Sequence, residues 1–216
     1  MTTHAAETSA LPPVRWGPVL LVIAAALAVA HLLDASAWAA LRDPRVNERE
    51  WGRLLRSVGY VPTWIVGAAA LWLADRRSGE VPRSGVPVSG GWRAVSLLFA
   101  PALAGGVAEL VKLVVRRQRP GAESPEYLFR PFDVDLWSTR GLGFASSHTA
   151  VAFGAAAVLA RCFPGTAPVW YLLATGCALT RILAGAHYLS DTVGAAAIGW
   201  LVADAMWRWG ARRARR

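Results

Sequence analysis

The chain alternates long apolar stretches with polar connections, and six of the stretches are candidate membrane spans. A bilayer core about 30 Å thick needs roughly 20 mostly apolar residues per helix, and fewer where the helix ends lie in the interface. Stretches of this kind predict transmembrane helices. The predicted spans are roughly Pro18–Leu33, Val58–Ala74, Ala94–Val115, Ser147–Phe163, Ala167–Ala184 and Tyr188–Trp207. The predicted fold is therefore all-α, a six-span transmembrane helical bundle.

The connections between the spans differ in character. The first contains an amphipathic segment, Asn47–Val58, with Asn47 as a candidate N-cap and Glu50 three residues later. Such a helix either lies on the membrane surface or packs over the bundle, and the pattern favours neither. The second connection, Asp75–Arg93, is rich in Gly, Pro, Ser and Arg and predicts a flexible loop. The third, Arg116–Ala145, is the longest polar stretch outside the chain ends, and long loops in compact domains are often functional.

Composition agrees with a membrane protein and narrows the partners. Of the 216 residues, 55% are hydrophobic and only 17% are charged, which is too apolar for an ordinary soluble domain. The net charge of +9 suits nucleic acid, anionic lipid or phosphate-bearing substrates. The basic residues lie in the connections and not on one continuous face, which argues against nucleic acid. Cys162 and Cys177 show no metal-ligand spacing and are predicted to be small apolar residues.

The chain ends predict the domain limits and the orientation. Residues 1–15 predict a disordered tail, residues 16–209 a single membrane-embedded domain, and residues 210–216 a basic tail. Basic residues next to a span favour the cytoplasmic side, so the final arginines predict an inner C-terminus. An even number of spans then predicts an inner N-terminus as well.

The first polar cluster lies at the end of the third span and contains Lys112, Arg119 and Pro120. Lys112 and Arg119 are seven residues apart, so on a helix they share one face and both point at one anion, and Pro120 then helps to end the helix. The alternative is snorkelling, in which basic residues at a span end extend toward water.

The second cluster, Ala145–His148, lies at the start of the fourth span. Free N–H groups and the positive dipole end of a helix N-terminus form a phosphate cradle, to which the hydroxyls of Ser146 and Ser147 add donors. The alternatives are a simple N-cap for Ser146 and an interfacial histidine for His148.

The third cluster spans the turn between the last two spans and contains Thr180, Arg181, His187 and Asp191. His187 and Asp191 are four residues apart, so on a helix the carboxylate orients the imidazole and leaves its other nitrogen free to attack. Arg181 adds a planar cation that suits phosphate. The alternative is a helix-end ion pair, which is costly at membrane depth without a role. With six spans, all three clusters lie at one membrane face.

These residues resemble the type-2 phosphatidic acid phosphatases, within the superfamily that also holds the vanadium-dependent haloperoxidases. The family pattern is Lys-x6-Arg-Pro, then Pro-Ser-Gly-His, then Ser-Arg-x5-His-x3-Asp, and this chain matches every ionisable position and spacing over roughly Ala94–Trp207. It departs at Ala145 for Pro, Ser147 for Gly and Thr180 for Ser. A side chain at Ser147 either crowds the cradle or contributes its own hydroxyl, which bears on substrate preference.

The resemblance implies a metal-independent lipid phosphatase without a cofactor. With both chain ends inside and six spans, the three clusters, and with them the active site, are predicted on the outer face of the cell membrane. The resemblance implies His187 as a nucleophile that forms a phosphohistidine, Asp191 as its stabilising partner and His148 as the general acid and base. The implied substrate-binding residues are Lys112, Arg119, Ser146, Ser147 and Arg181. A phosphate site at the membrane surface, flanked by apolar helices, suits an amphiphile whose tail stays in lipid. The predicted partners are therefore membrane lipids and a lipid phosphate: phosphatidic acid, phosphatidylglycerol phosphate, or a polyprenyl phosphate or diphosphate.

Two alternatives share these residues. A lipid phosphotransferase would use the same site with another acceptor, and whether water alone suffices separates it from a hydrolase. A catalytically idle protein that binds lipid headgroups would be expected to lack a catalytic residue, whereas all six ionisable positions are present. The residues do not separate the candidate lipids.

Overall fold

The architecture, from a computed structural model, is all-helical. The structure describes residues 14–78, 90–121 and 125–213. This part of the chain contains two isolated bridges but no β-strand, so the all-α prediction is confirmed. Short 3₁₀ turns occur at Pro44–Asn47 and Pro164–Thr166. The helices are α1 (Trp16–Leu41), α2 (Glu50–Ser57), α3 (Val61–Ser78), α4 (Gly90–Val115), α5 (Ser147–Cys162), α6 (Ala167–Leu183) and α7 (Leu189–Arg213).

Each of the six predicted spans corresponds to one long helix, but four helices, α1, α3, α4 and α7, extend further than predicted. Helix α1 continues past Leu33 because Asp34 is buried against another helix instead of facing solvent. The predicted loop Asp75–Arg93 is helical at both ends, since Asp75 and Arg93 form a buried ion pair with 2.8 Å between Arg93 Nη1 and Asp75 Oδ1. Residues 79–89 lie outside the described part of the chain. Helix α7 runs on to Arg213, into the predicted basic tail.

The apolar helices identify a membrane protein, although the count of six spans is not confirmed. By length and composition, α1 and the segment Gly91–Val115 are able to cross a membrane, and α2 with α3, bent by 64°, forms a third candidate. Helices α5 and α6 have only 16 and 17 residues, fewer than the roughly 20 that a bilayer core requires. The six-span count stays a prediction.

Helix α5 lies at the centre of the bundle, packed against α4, α6 and α7. Small residues allow this close packing, as is common between membrane helices. A Cβ atom on Gly199 of α7 would lie 2.5 Å from the carbonyl oxygen of Ala150 and 2.8 Å from the nitrogen of Gly154. The two helices therefore approach backbone to backbone, which brings the start of α7 beside the start of α5.

The long helices alternate in direction. Contacts between Asp34 and Ser190, between Lys112 and Ser147, and between the backbones of Ser146 and Asp191 all lie at one end of the bundle. Helices α1, α4 and α6 run toward this end, and α3, α5 and α7 run away from it. We call it the motif end, because the three polar clusters of the sequence meet there.

Helix α2 packs over the bundle, with part of its apolar surface left exposed. A Cβ atom on Gly176 of α6 would lie 2.9 Å from the side chain of Leu55, whereas Trp51 and Leu54 are exposed. The predicted N-cap at Asn47 was wrong, because Asn47 ends a 3₁₀ turn and α2 begins only at Glu50.

Candidate active site

Lys112 joins the first cluster to the second. It lies in the last turn of α4 and is buried, with 3% of its surface exposed. Its ammonium group donates to Glu109 Oε1 at 2.5 Å and to Ser147 Oγ at 3.4 Å. The cation is therefore held at the N-terminus of α5, where the helix dipole already favours an anion.

Arg119 reaches the motif end by a different route from the predicted one. Helix α4 ends at Val115, and Arg116 follows in the left-handed conformation with a φ of 57°. Arg119 then lies in an extended segment, where its amide donates to the carbonyl of Gly141 at 3.0 Å. The predicted two helical turns between Lys112 and Arg119 were wrong, and Pro120 does not end the helix.

The early end of α4 has a cause in the loop that follows. The Arg116 guanidinium is buried, with 1% of its surface exposed, and lies 5.0 Å from the ring of Phe132. It donates to four loop carbonyls, those of Arg130, Pro131, Val134 and Leu136. These bonds satisfy a buried cation that a continuing helix would leave without partners.

Ser146 joins the second cluster to the third. It is fully buried at the N-cap position of α5, but its hydroxyl accepts from Thr149 Oγ1 at 3.1 Å and does not cap the helix. Its amide donates to the carbonyl of Asp191 at 3.2 Å. The first intrahelical bond of α5 runs from Ala150 to Ser146, so the amides of the first turn are left to face an anion.

His148 lies in the first turn of α5 and contacts the bend between α2 and α3. Its ring lies 5.1 Å from that of Tyr60 in an edge-to-face arrangement, and its Nε2 has no partner in the described part of the chain. A Cβ atom on Gly59 would lie 2.8 Å from His148 Cβ. The charges of Arg181, Arg56 and Lys112 act on His148, and the contribution of Arg56 and Tyr60 was not predicted from the sequence.

Arg181 supplies a buried cation from the last turn of α6, with 6% of its surface exposed. Its Nε has no hydrogen-bond partner among the described residues. The turn that follows is shaped by Gly185, whose φ of 63° favours glycine. Thr180, which departs from the family pattern, donates its hydroxyl to the carbonyl of Cys177 at 2.7 Å and so serves the helix.

His187 and Asp191 form the predicted pair, although not within one helix. His187 precedes α7, and its Nδ1 lies 3.5 Å from Asp191 Oδ2, an ion-pair distance outside hydrogen-bond geometry. The same Oδ2 accepts the amide of Tyr188 at 2.9 Å. The prediction that both residues lie on one helix was therefore wrong, because the turn before α7 brings the two side chains together.

Burial of the His187 imidazole favours its neutral form. It lies outside the helices, and burial lowers its pKa, while the Asp191 carboxylate acts in the opposite direction. The positive charges of Arg181 and Arg119 also lower this pKa. A neutral imidazole is the form in which a ring nitrogen acts as a nucleophile.

Asp191 has a second partner that the sequence did not predict. Its Oδ1 accepts from Arg117 Nη2, and the same nitrogen donates to Ser190 Oγ at 2.7 Å. Asp34 of α1 lies behind this contact and accepts from the amide of Ser190 at 2.8 Å. The available signal was a carboxylate between the predicted span that ends at Leu33 and the further apolar residues that follow up to Leu41, because a carboxylate is costly in a membrane without a partner.

The motif end thus gathers Lys112, Ser146, Ser147, His148, Arg181, His187 and Asp191, while Arg119 lies in the extended segment that follows α4 and bonds to the carbonyls of Gly141 and Leu142. Several cations and the free amides of a helix lie here beside two histidines that differ in their surroundings. Such a site can bind an anionic group and support nucleophilic attack on it. The described residues contain no group of three or more His, Cys, Asp or Glu side chains placed to hold a metal ion. The roles of the individual residues stay predictions.

Comparison with known proteins agrees with the motifs. The curated relatives include a lipid A 1-phosphatase of Rhizobium etli, 28% identical over 88% of this chain and 82% of the relative. Another lipid A 1-phosphatase, of Rhizobium johnstonii, is 27% identical over 88% of this chain and 78% of the relative. No solved structure gives a significant match. The model of the PAP2 superfamily matches residues 93–215, more than half of the chain and all three clusters, so the chain belongs to the PAP2 superfamily.

Proposed function

We propose that this protein is a lipid phosphate phosphatase that hydrolyses a phosphomonoester or diphosphate through a phosphohistidine on His187. The observation that carries the proposal is the meeting of the three clusters at the motif end, where the buried His187 lies beside Asp191 and among several cations. Family membership and the two relatives named lipid A 1-phosphatase support the same reaction class.

The phosphate group would be bound at the start of α5. Lys112, Arg119 and Arg181 supply positive charge, and Ser146, Ser147 and the first amides of α5 supply hydrogen bonds. Charge spreads over the equatorial oxygens of a phosphoryl group during transfer, so fixed cations and donors stabilise the transition state more than the substrate. We propose that these cations take the place of a metal ion.

His187 would be the nucleophile. Its Nδ1 faces Asp191, which leaves Nε2 to attack phosphorus in line with the leaving oxygen. The phosphorus–nitrogen bond forms as the phosphorus–oxygen bond breaks, and His148 gives its proton to the leaving oxygen. The positive charge that develops on the His187 ring is stabilised by Asp191.

In the second half of the reaction, His148 would act as a general base. His148, now neutral, accepts a proton from water as the water oxygen attacks phosphorus. The phosphorus–nitrogen bond breaks, inorganic phosphate leaves, and His187 returns to its neutral form. The unpartnered Nε2 of His148 supports this role, because no described protein group occupies the nitrogen that moves the proton.

A lipid is the substrate class that the surroundings of the site favour. The loop between α4 and α5 lies at the motif end, and it exposes apolar side chains that suit an acyl or prenyl tail. Trp137 is the most exposed of them, at 83%. Among the described residues of this loop, the exposed apolar side chains also include Leu128, Phe129, Phe132, Val134 and Leu136. Phosphatidic acid, phosphatidylglycerol phosphate and polyprenyl phosphates or diphosphates remain candidates, and the named relatives add the 1-phosphate of lipid A.

We also propose that all six long helices cross the membrane and that the motif end faces the extracytoplasmic side. The alternating helix directions support this arrangement. Arg212 and Arg213, at the end of α7, lie at the end of the bundle opposite to the motif end, and a basic C-terminus favours the cytoplasm.

The test uses purified protein in detergent or liposomes, a panel of lipid phosphates, and released inorganic phosphate as the signal. The His187→Ala variant is expected to lose phosphate release, whereas the parent is expected to retain it in the presence of chelator. A matched control is Arg161→Gln, which removes a cation at the opposite end of the bundle, where Arg161 pairs with Asp204. Full activity of His187→Ala, or complete loss in the parent with chelator, contradicts the proposal.

A further inference from the structure

Arg117 lies between two buried carboxylates at the motif end, one from α7 and one from α1. Its Nη2 donates to Asp191 Oδ1, and its Nη1 lies 3.8 Å from Asp34 Oδ2. All three side chains are almost fully buried. Removing an arginine and two carboxylates from water costs free energy, and their mutual attraction offsets this cost only when the geometry is good. The three side chains are therefore expected to hold one another in fixed positions.

The position of Arg117 is itself determined by its surroundings. Its guanidinium carbon lies 5.0 to 5.2 Å from the centres of three aromatic rings, a distance at which aromatic faces attract a cation. Because these rings surround the guanidinium, its direction toward Asp191 is set by packing. The rings belong to Tyr127, Phe144 and Tyr188.

Asp34 is held equally firmly. It accepts from the amide and the hydroxyl of Ser190 at 2.8 and 2.5 Å, and from the hydroxyl of Tyr127 at 2.8 Å. Partial burial and the neighbouring Asp34 carboxylate raise the pKa of the Tyr127 phenol, which therefore stays protonated and donates. Asp34 lies outside residues 93–215, the part of the chain that the family model matches. The first helix thus contributes to the site.

The two oxygens of Asp191 have separate tasks in this arrangement. Oδ1 is bound by Arg117, while Oδ2 accepts the Tyr188 amide and lies 3.5 Å from His187 Nδ1. With Oδ1 bound, the carboxylate cannot rotate away from the imidazole without breaking a buried charge-assisted hydrogen bond.

We infer that Arg117 is a positioning residue for the His187–Asp191 pair, and that Asp34 of α1 positions Arg117 in turn. Arg117 acts through Asp191 and does not bind the phosphate. The inference rests on the proposed function, because it assigns a task to a side chain behind the proposed nucleophile.

The test is a kinetic comparison of the parent with Arg117→Gln, using a water-soluble phosphate ester and inorganic phosphate as a competitive inhibitor. Loss of an outer partner of this kind is expected to lower kcat about 10- to 100-fold. KM and the inhibition constant for phosphate are expected to change by less than about threefold, because ground-state binding is untouched. A parallel rise in the inhibition constant would mean that Arg117 binds phosphate, and an unchanged kcat would mean that it has no task; either overturns the inference.

A matched control separates positioning from general destabilisation. Arg93 is also a buried arginine paired with a carboxylate, Asp75, but it lies at the opposite end of α4 from Lys112. Arg93→Gln is expected to lower the melting temperature while leaving kcat within about threefold of the parent. A loss of kcat in Arg93→Gln as large as that in Arg117→Gln overturns the inference.

A double-mutant cycle with Asp191→Asn tests the route of the effect. If Arg117 acts through Asp191, Arg117→Gln lowers kcat little further once Asp191 is Asn, within about threefold. If the two substitutions lower kcat independently, so that the fold-loss of the double variant is the product of the two single fold-losses, the inference is contradicted. If Arg117→Gln does not fold, Asp34→Asn, which keeps the side-chain volume, replaces it in the same comparison with the same criteria.

The outcome also separates this inference from the proposed function. Activity that survives in His187→Ala removes the proposed function and the inference together. If His187→Ala loses activity but Arg117→Gln and Asp191→Asn lower kcat independently, the proposed function stands and only the positioning role of Arg117 is removed.

Discussion

A single methyl group at Gly143 offers a sharp test of whether the position of Asp191 controls catalysis. Gly143 lies just before the second cluster, and a Cβ atom added to it would lie 2.9 Å from Asp191 Oδ2 and 3.1 Å from the carbonyl oxygen of Gln118. Ordinary van der Waals contact begins at 3.4 Å, so Asp191 Oδ2 or the Gly143 backbone must move by about 0.5 Å.

The size of the expected effect follows from this displacement. Asp191 Oδ2 is the atom that faces His187 Nδ1, and a catalytic group misplaced by about 1 Å costs on the order of 100-fold in rate. Half that displacement is expected to lower kcat roughly 10-fold in Gly143→Ala. KM is expected to stay near the parent value, because Asp191 is not proposed to bind phosphate.

The assay is phosphate release from a soluble phosphate ester, with the melting temperature measured on the same samples. Gly165→Ala is the control, since a Cβ at Gly165 meets nothing within 4 Å. A kcat equal to that of the parent in folded Gly143→Ala would refute the reasoning. A rise in KM with kcat unchanged would show instead that the added methyl disturbs substrate binding.

Three further predictions concern pH, lipid preference and packing. Because the pKa of His187 is lowered, kcat/KM is expected to fall on the acid side only below pH 6.5, where the nucleophile becomes protonated. A pH profile whose acid limb has its midpoint above 6.5 contradicts this prediction. Trp137→Ser is expected to raise KM for a long-chain lipid phosphate several-fold and to leave kcat/KM for a soluble ester unchanged; equal effects on both substrates argue against a role in tail binding. In Gly199→Val the added Cβ would lie 2.5 Å from the carbonyl oxygen of Ala150, so the free energy of unfolding is expected to fall by about 1 to 3 kcal/mol. In the control Gly91→Val the Cβ meets nothing within 4 Å, so no such fall is expected. Equal melting temperatures for the two variants contradict the prediction.

The positions of the long helices were predictable because each depends on a local property. A stretch of about 20 apolar residues has one stable arrangement in lipid, in which every backbone group is bonded within the helix. The six apolar stretches accordingly became six long helices. The predictions failed at their ends, because Asp34, Asp75 and Arg93 are buried by partners distant in the sequence, and local polarity alone suggested that the helices stop there.

The candidate site was predicted in composition more accurately than in geometry. Lys112 and Arg119 were expected on one helical face, but Arg116 ends the helix because its guanidinium binds loop carbonyls. His187 and Asp191 were expected within a helix, but meet across its first turn. Spacing along the chain predicts geometry only while the secondary structure continues, and tertiary contacts decide where it ends.

The amino-acid sequence by itself determined the membrane class, the positions of the long helices and the three clusters, because hydrophobicity and motif spacing are local properties. Only the tertiary structure decided which groups surround those clusters. Asp34 and Arg56 come near the site through helix packing, which small residues such as Gly199 allow, and Arg117 comes near it through the loop that follows α4. Their roles depend on distances between segments far apart in the chain, and such distances leave no regular pattern in the order of residues.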